Sequence, residues 1–93
     1  MVELDGQNAI FWVSSSTPVS KLGSAIAHGV YADRTVTLRA IGAGAISQAI
    51  KALAVAIGYT APRGYDLAVR PSFSDVVMPD RTVTALTMKV VVL

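Results

Sequence analysis

A strand that runs straight into a glycine-containing helix start constrains the fold of this chain more than any other feature. The stretch reads RAIGAGAISQAIKALAVA and begins at Arg39. Its helical part carries Ala, Ile, Leu or Val around most of its circumference, so it must be buried on most sides. Glycine at such a corner lets the helix approach the sheet closely. The pattern predicts a helix packed on a sheet, and leaves open whether Gly42 and Gly44 serve packing alone or also hold an anion.

The same glycines match a dinucleotide-binding fingerprint only in part. Gly42 and Gly44 fit its first two glycines, but Ser47 stands where the third position requires glycine or alanine. The fingerprint also needs an acidic residue at the end of the next strand, whereas Asp66 lies at the start of its strand. We therefore expect no nucleotide cofactor, and no other cofactor.

Hydrophobic periodicity and turn residues predict the element order β-α-β-α-β-β. Strands are expected at residues 8–14, 35–41, 65–71 and 81–92, and residues 72–80 form the hairpin between the last two. Two right-handed β-α-β crossovers place both helices on one face of the sheet. The predicted fold class is α+β, a two-layer sandwich with a four-stranded mixed sheet, both helices on one face and the other face open.

Local residue types also predict where the helices begin and end. Thr17 and Pro18 are expected as the N-cap and the first residue of the first helix. The second helix is expected over residues 42–57, with Gly58 as its left-handed C-terminal cap. Trp12, in the first strand, is expected in the core.

Composition excludes several classes of protein. The chain has 93 residues, which predicts one domain (1–93), and its 53% hydrophobic content excludes a mainly disordered state. So much apolar surface in a small chain favours a subunit interface. Cysteine is absent, which excludes disulfides and cysteine-based metal sites. The longest apolar run, residues 49–57, contains Lys51 and is far shorter than the ~20 residues of a membrane span. We expect a cytoplasmic protein without a membrane partner.

Catalytic groupings are not predicted. His28 is the only histidine, and we expect it on the surface. Asp66, Asp75 and Asp80 have no accompanying nucleophile or base for acid–base chemistry. The chain is therefore not expected to be an enzyme or to hold a metal.

Side-chain alternation predicts a second surface, on the sheet face that the helices leave open. Arg39, Arg70 and Lys89 fall on that side of their strands. Such a trio suits contact with phosphates, or simply keeps the sheet soluble. Phe11 and Val13 are predicted on the outward side of the first strand, which would favour a second subunit or another protein as partner.

Four motifs within residues 39–75 carry a family resemblance. They are AIGAGA at the helix corner, QAIK one turn later, then APRGYDL and PSFSD. This block resembles the stage V sporulation protein S family, whose members are similar to the Alba nucleic-acid-binding proteins, and the likeness extends more loosely over nearly the whole chain. The resemblance implies the Alba-like two-layer fold, with the four strands in the order 1-2-4-3, and a homodimer.

The resemblance further implies nucleic-acid contact through residues 14–21, 42–51 and 72–81. These regions contain few cations, and phosphate neutralisation drives most affinity that is independent of base sequence. We therefore expect weak binding of DNA or RNA, centred on the start of the second helix. The predicted contact at the helix start consists of Arg39, Gly42, Gly44, Ser47 and Lys51, with Lys21 from the preceding loop and with Arg70 and Lys89 as outlying support.

A structural or scaffolding subunit is the alternative hypothesis. It would use the Alba-like fold for protein–protein assembly, with another protein as partner. Three features favour it: the high apolar content, the near-absence of a basic arm (Asp75 and Asp80 stand against Arg81), and the apolar residues expected on the outward side of the first strand.

Overall fold

The computed structural model describes residues 2–93 and consists of two layers, a sheet and two helices that cover one of its faces. The strands are β1 (Val2–Asp5), β2 (Asn8–Val13), β3 (Thr35–Ala40), β4 (Leu67–Val77) and β5 (Thr82–Val92). The helices are α1 (Val19–Tyr31) and α2 (Ala43–Thr60), and a 3₁₀ turn (Ala61–Arg63) follows α2.

The sheet has the strand order β1-β2-β3-β5-β4. β2 and β3 are parallel, and the other neighbours are antiparallel. The order of the four predicted strands agrees with the order that the resemblance implied, but the prediction of four strands is wrong because β1 adds a fifth. β1 forms a hairpin with β2 through a turn in which Gly6 has a φ of 59°. Such turns require a positive φ, which glycine adopts without strain.

The predicted faces of the first strand are wrong. Phe11 and Val13 lie in the core beneath the helices, whereas Ile10 and Trp12 are half-buried on the opposite face. Phe11 is paired with Leu38 of β3, and paired residues share a face. The alternation in β2 does not distinguish the two faces, because apolar residues occupy both.

The core combines a few large side chains with many alanines. Ile26, Val36, Leu38 and Met88 are fully buried. Where α2 meets α1 and the sheet, its buried residues are mostly small: Ala45, Ala49, Ala52, Leu53, Ala56 and Thr60. A Cβ at Gly23 of α1 would lie 2.5 Å from Val55 Cγ1. The helix backbones are therefore held close together by small side chains.

Both predicted helix caps are wrong. Pro18 is the N-cap of α1, and the Thr17 hydroxyl instead accepts a hydrogen bond from the Ser14 amide at 2.8 Å. α2 passes through Gly58 and ends at Thr60, which is fully buried. The left-handed glycine is Gly64, with a φ of 88°, after the 3₁₀ turn. α2 therefore extends beyond the glycine that local sequence marked as its end, and the residue at its new end, Thr60, is buried while residues 57–59 are exposed.

The last two strands pair along their entire length and form an arm. Their register runs from Leu67 opposite Val92 to Val77 opposite Thr82, so most of the predicted hairpin is strand. The tip closes with a hydrogen bond from the Met78 amide to the Arg81 carbonyl at 2.7 Å. Within residues 2–93, no helix is long and apolar enough to cross a membrane.

Candidate functional site

The two glycines at the start of α2 each have a structural requirement. Gly42 is the N-cap, with φ 90° and ψ 158°, a backbone conformation that is essentially restricted to glycine. A Cβ at Gly44 would lie 2.9 Å from the Cβ of Ser15, in the loop before α1. That loop is also held by Gln48, whose Nε2 donates to the Thr17 carbonyl at 2.9 Å. Backbone conformation therefore explains Gly42, and packing explains Gly44.

The same corner still presents free amide groups. The amides of Ala43 and Gly44 have no hydrogen-bond acceptor within residues 2–93, and both residues are exposed. The first amide that is satisfied within the helix belongs to Ile46, which donates to the Gly42 carbonyl at 3.1 Å. Unpaired amides and the helix dipole give a helix start a partial positive charge. Packing thus leaves the corner able to accept an anion.

Three of the predicted contact side chains accompany this corner. Ser47 and Lys51 are exposed and lie four residues apart, on one side of α2. Lys21 is exposed in the first turn of α1, whose start lies beside that of α2 because Ser15 and Thr17 contact α2. We call this surface the helix end, formed by residues 14–18, Lys21, Gly42, Gly44, Ser47 and Lys51.

Arg39 does not belong to the helix end, contrary to the prediction. It lies on the open face of the sheet, and its guanidinium carbon is 5.6 Å from the centroid of the Trp12 ring. Its Nε atom is buried and has no hydrogen-bond partner within residues 2–93. The side chain points away from the helix face because Leu38 and Ala40, its neighbours in β3, are buried in the core.

The open face brings together the three cations that side-chain alternation predicted there. Lys89 of β5 is paired with Arg70 of β4, and Arg39 is paired with Thr87, two residues from Lys89. The three side chains line a shallow cavity of about 350 Å³, and no carboxylate is among its lining residues. We call it the open-face groove, lined by Asn8, Ile10, Thr35, Thr37, Arg39, Arg70, Ser72, Thr87 and Lys89.

The end of the arm, residues 72–81, is apolar and acidic rather than basic. Phe73 and Val77 are 79% and 83% exposed. Asp75, between them, accepts a hydrogen bond from the Thr84 hydroxyl at 3.5 Å. Arg81 is the one cation between residues 72 and 81. Phosphate contact by the arm would depend on that residue.

Sequence reasoning missed two features. Trp12 reaches the open face, where its indole Nε1 donates to Glu3 Oε1 at 3.3 Å. At the other end of the helices, the guanidinium carbon of Arg63 lies 4.4 Å from the centroid of the Tyr31 ring. No sequence signal reveals the first feature, because apolar residues occupy both faces of β2, and nothing in the sequence brings residues 31 and 63 together.

Comparison with known proteins agrees with this architecture. The chain is similar to Alba from Thermoplasma volcanium, with a TM-score of 0.57 and 13% identity over 87% of this chain and 94% of that one. At that identity, the likeness shows an Alba-like fold. The family model of stage V sporulation protein S matches residues 9–93. The family expected from the motifs of residues 39–75 is thereby confirmed, and the chain belongs to the stage V sporulation protein S family.

Proposed function

We propose that this chain is a non-enzymatic protein that binds DNA or RNA weakly, through phosphate contacts, as a homodimer. The observation that carries the proposal is the grouping of Arg39, Arg70 and Lys89 in one groove without a lining carboxylate. Like charges held on adjacent strands destabilise a sheet unless something offsets them. A polyanion supplies that compensation, and the resemblance of residues 39–75 to a family similar to the Alba nucleic-acid-binding proteins favours nucleic acid as that polyanion.

The helix end supports the same function from a second direction. Its free amides at Ala43 and Gly44 suit a phosphate oxygen, as helix starts commonly do. Lys51 adds a charge two turns along the same helix. The two surfaces hold few cations each, which agrees with weak binding, and the salt dependence of that binding scales with the number of phosphates that these cations neutralise.

The homodimer is proposed from exposed apolar residues on α2. Ile50 and Ile57 are 52% and 40% exposed and lie seven residues apart, on one side of the helix. Ala54 is exposed between them. An apolar stripe with a small central residue suits close contact with the same helix of a second copy.

Salt-dependent oligonucleotide binding tests the proposal. We expect labelled oligonucleotides to bind at about 50 mM salt and to bind much more weakly at about 200 mM, since each neutralised phosphate steepens the salt dependence. Arg39→Ala/Lys51→Ala removes one cation from each surface, so it should weaken binding and lower the salt slope by about 2. Fluorescence anisotropy measures both.

The matched control is Arg63→Ala, which removes a cation that stacks on Tyr31, away from both surfaces. It should bind as the wild type does. Absence of binding even at low salt would refute the proposal, and so would an unchanged affinity in the Arg39→Ala/Lys51→Ala variant.

An assembly subunit is the second candidate function, and the exposed Phe73 and Val77 of the arm favour it. The nucleic-acid proposal instead predicts a dimer at every concentration, because under that proposal the arm does not bind another protein. Light scattering across a wide range of concentrations distinguishes the two functions. Assembly would be established instead if the wild type and the Asp75→Asn control form particles larger than a dimer and the Phe73→Ser/Val77→Ser variant does not.

A further inference from the structure

We infer that the open-face groove binds a short single strand of nucleic acid in preference to a duplex. This inference rests on the proposed nucleic-acid function, and it specifies the kind of nucleic acid that the open-face groove binds. The strand would lie across β3, β5 and β4, with its phosphates over the cations and its bases toward Trp12 and the hydroxyl side chains.

The spacing of the charges matches a chain of closely spaced anions. Lys89 and Arg70 are directly opposite one another on neighbouring strands, and Arg39 is the diagonal neighbour of Lys89. Opposite residues in a sheet have Cβ atoms about 5 Å apart, and diagonal ones about 7–8 Å. Three positive charges within this distance repel one another, and the lining residues contain no carboxylate to offset them. A strand of successive phosphates relieves that repulsion.

Arg39 offers the groove an unused hydrogen-bond donor. Its Nε atom is buried without a partner within residues 2–93, while its guanidinium carbon lies 5.6 Å from the centroid of the Trp12 ring. No hydrogen bond within residues 2–93 holds this guanidinium, so its terminal nitrogens can donate to an acceptor in the groove. A phosphate oxygen or a base carbonyl supplies one, and the planar guanidinium fits phosphate with paired hydrogen bonds.

The rest of the lining suits exposed bases rather than a closed duplex. Thr35, Thr37 and Thr87 line the groove with Ser72, and Trp12 stands next to Arg39 at its margin. Hydroxyl groups donate to and accept from base edges and ribose hydroxyls, and an aromatic ring beside a cationic groove stacks on bases without strong sequence preference. In a duplex, the base faces are already stacked on one another. Only a single strand uses both kinds of group.

Acidic residues at the margins also exclude a wide ligand. Glu3 and Asp5 are paired with Ile10 and Asn8, so they lie on the same face of the sheet as the groove, at its β1 edge. Asp33 lines a neighbouring cavity, and Arg70 and Lys89 belong to the lining of both that cavity and the groove. These carboxylates repel phosphates and leave a narrow positive path over β3, β5 and β4. A duplex also needs more than three phosphate contacts to bind strongly.

The single tryptophan makes the groove observable by itself. We expect single strands of about eight nucleotides, oligo-dT or oligo-U, to change Trp12 fluorescence in the full chain at low salt. A duplex should change it less at the same phosphate concentration. Comparing the two strands shows whether the ribose hydroxyl contributes, and either one responding supports the inference.

Two matched double variants locate the contact. Arg70→Ala/Lys89→Ala removes two cations from the open-face groove and should weaken single-strand affinity about tenfold. Lys21→Ala/Lys51→Ala removes two cations from the helix end and should leave the Trp12 response nearly unchanged. All four substituted side chains are exposed, so both variants should fold, which circular dichroism verifies.

The outcomes separate the groove from the function as a whole. If anisotropy shows no nucleic-acid binding at low salt, the proposed function fails and the groove's ligand fails with it. If oligonucleotides bind without changing Trp12 fluorescence, and Arg70→Ala/Lys89→Ala binds them with normal affinity, the protein still binds nucleic acid but the groove is not the site. A duplex that competes equally for the Trp12 response overturns the preference for a single strand.

Discussion

Replacing Gly42 with alanine should lower the free energy of unfolding by about 1–3 kcal/mol, although the new methyl group would touch nothing. A Cβ at this position meets no atom within 4 Å, so steric crowding by neighbours is not the cause. The cause is the backbone, because φ 90° with ψ 158° is a conformation that side chains exclude. To relieve it, the chain would have to rotate the start of α2 away from β3.

Gly58→Ala is the matched control and should act in the opposite direction. Gly58 also has open space around its Cβ, but it lies inside α2 with no positive φ. Alanine there should stabilise the protein by up to about 1 kcal/mol, since it favours the helix over the unfolded chain. Urea unfolding of the two variants measures both changes. Equal midpoints for Gly42→Ala and the wild type would show that the corner does not need glycine.

The corner illustrates how far local sequence predicts this protein. The expectation that the second helix is buried on most sides is wrong, because Ile50, Ala54 and Ile57 are exposed. The residues around Arg39 did correctly indicate a strand, a tight turn and a helix. They did not reveal that Gly42 is required by its φ and Gly44 by Ser15, because both facts depend on how the chain returns to that point. Alternation did place Arg39 on the open face, and assigning it to the helix start as well was the error, since one side chain of a strand serves only one of the two faces.

The faces of the strands were predictable only where apolar and polar residues alternate. In β3 the alternation is clear, and Arg39 was placed correctly on the open face together with Arg70 and Lys89. In β2 apolar residues fall on both sides, so only pairing with Leu38 reveals that Phe11 faces the core. That reversal moved Trp12 from the expected core to the edge of the candidate site, and it moved Phe11 from the outward side into the core.

Replacing Leu38 with alanine should remove about 2–5 kcal/mol of stability while leaving nucleic-acid binding unchanged below the unfolding transition. Leu38 is fully buried and lies between Phe11 and Met88 in one row across the sheet. The buried alanines of α2 already let that helix pack very close to the sheet. The two layers therefore cannot move much closer together to fill the cavity that the missing leucine side chain would leave. A loss near the upper end of the range is therefore expected.

Arg39→Ala, one residue along the same strand, should give the reverse result. Its side chain contributes chiefly the contact with Trp12, worth about 0.5–1 kcal/mol, but it supplies a third of the groove's positive charge. Thermal unfolding and oligonucleotide titration of both variants measure the two properties separately. The prediction assigns stability to the core face of β3 and nucleic-acid binding to its open face. A loss of affinity in folded Leu38→Ala, or full affinity in Arg39→Ala, would contradict that assignment. Because adjacent residues of a strand point to opposite faces of the sheet, these two substitutions test the two faces separately at nearly the same place in the fold.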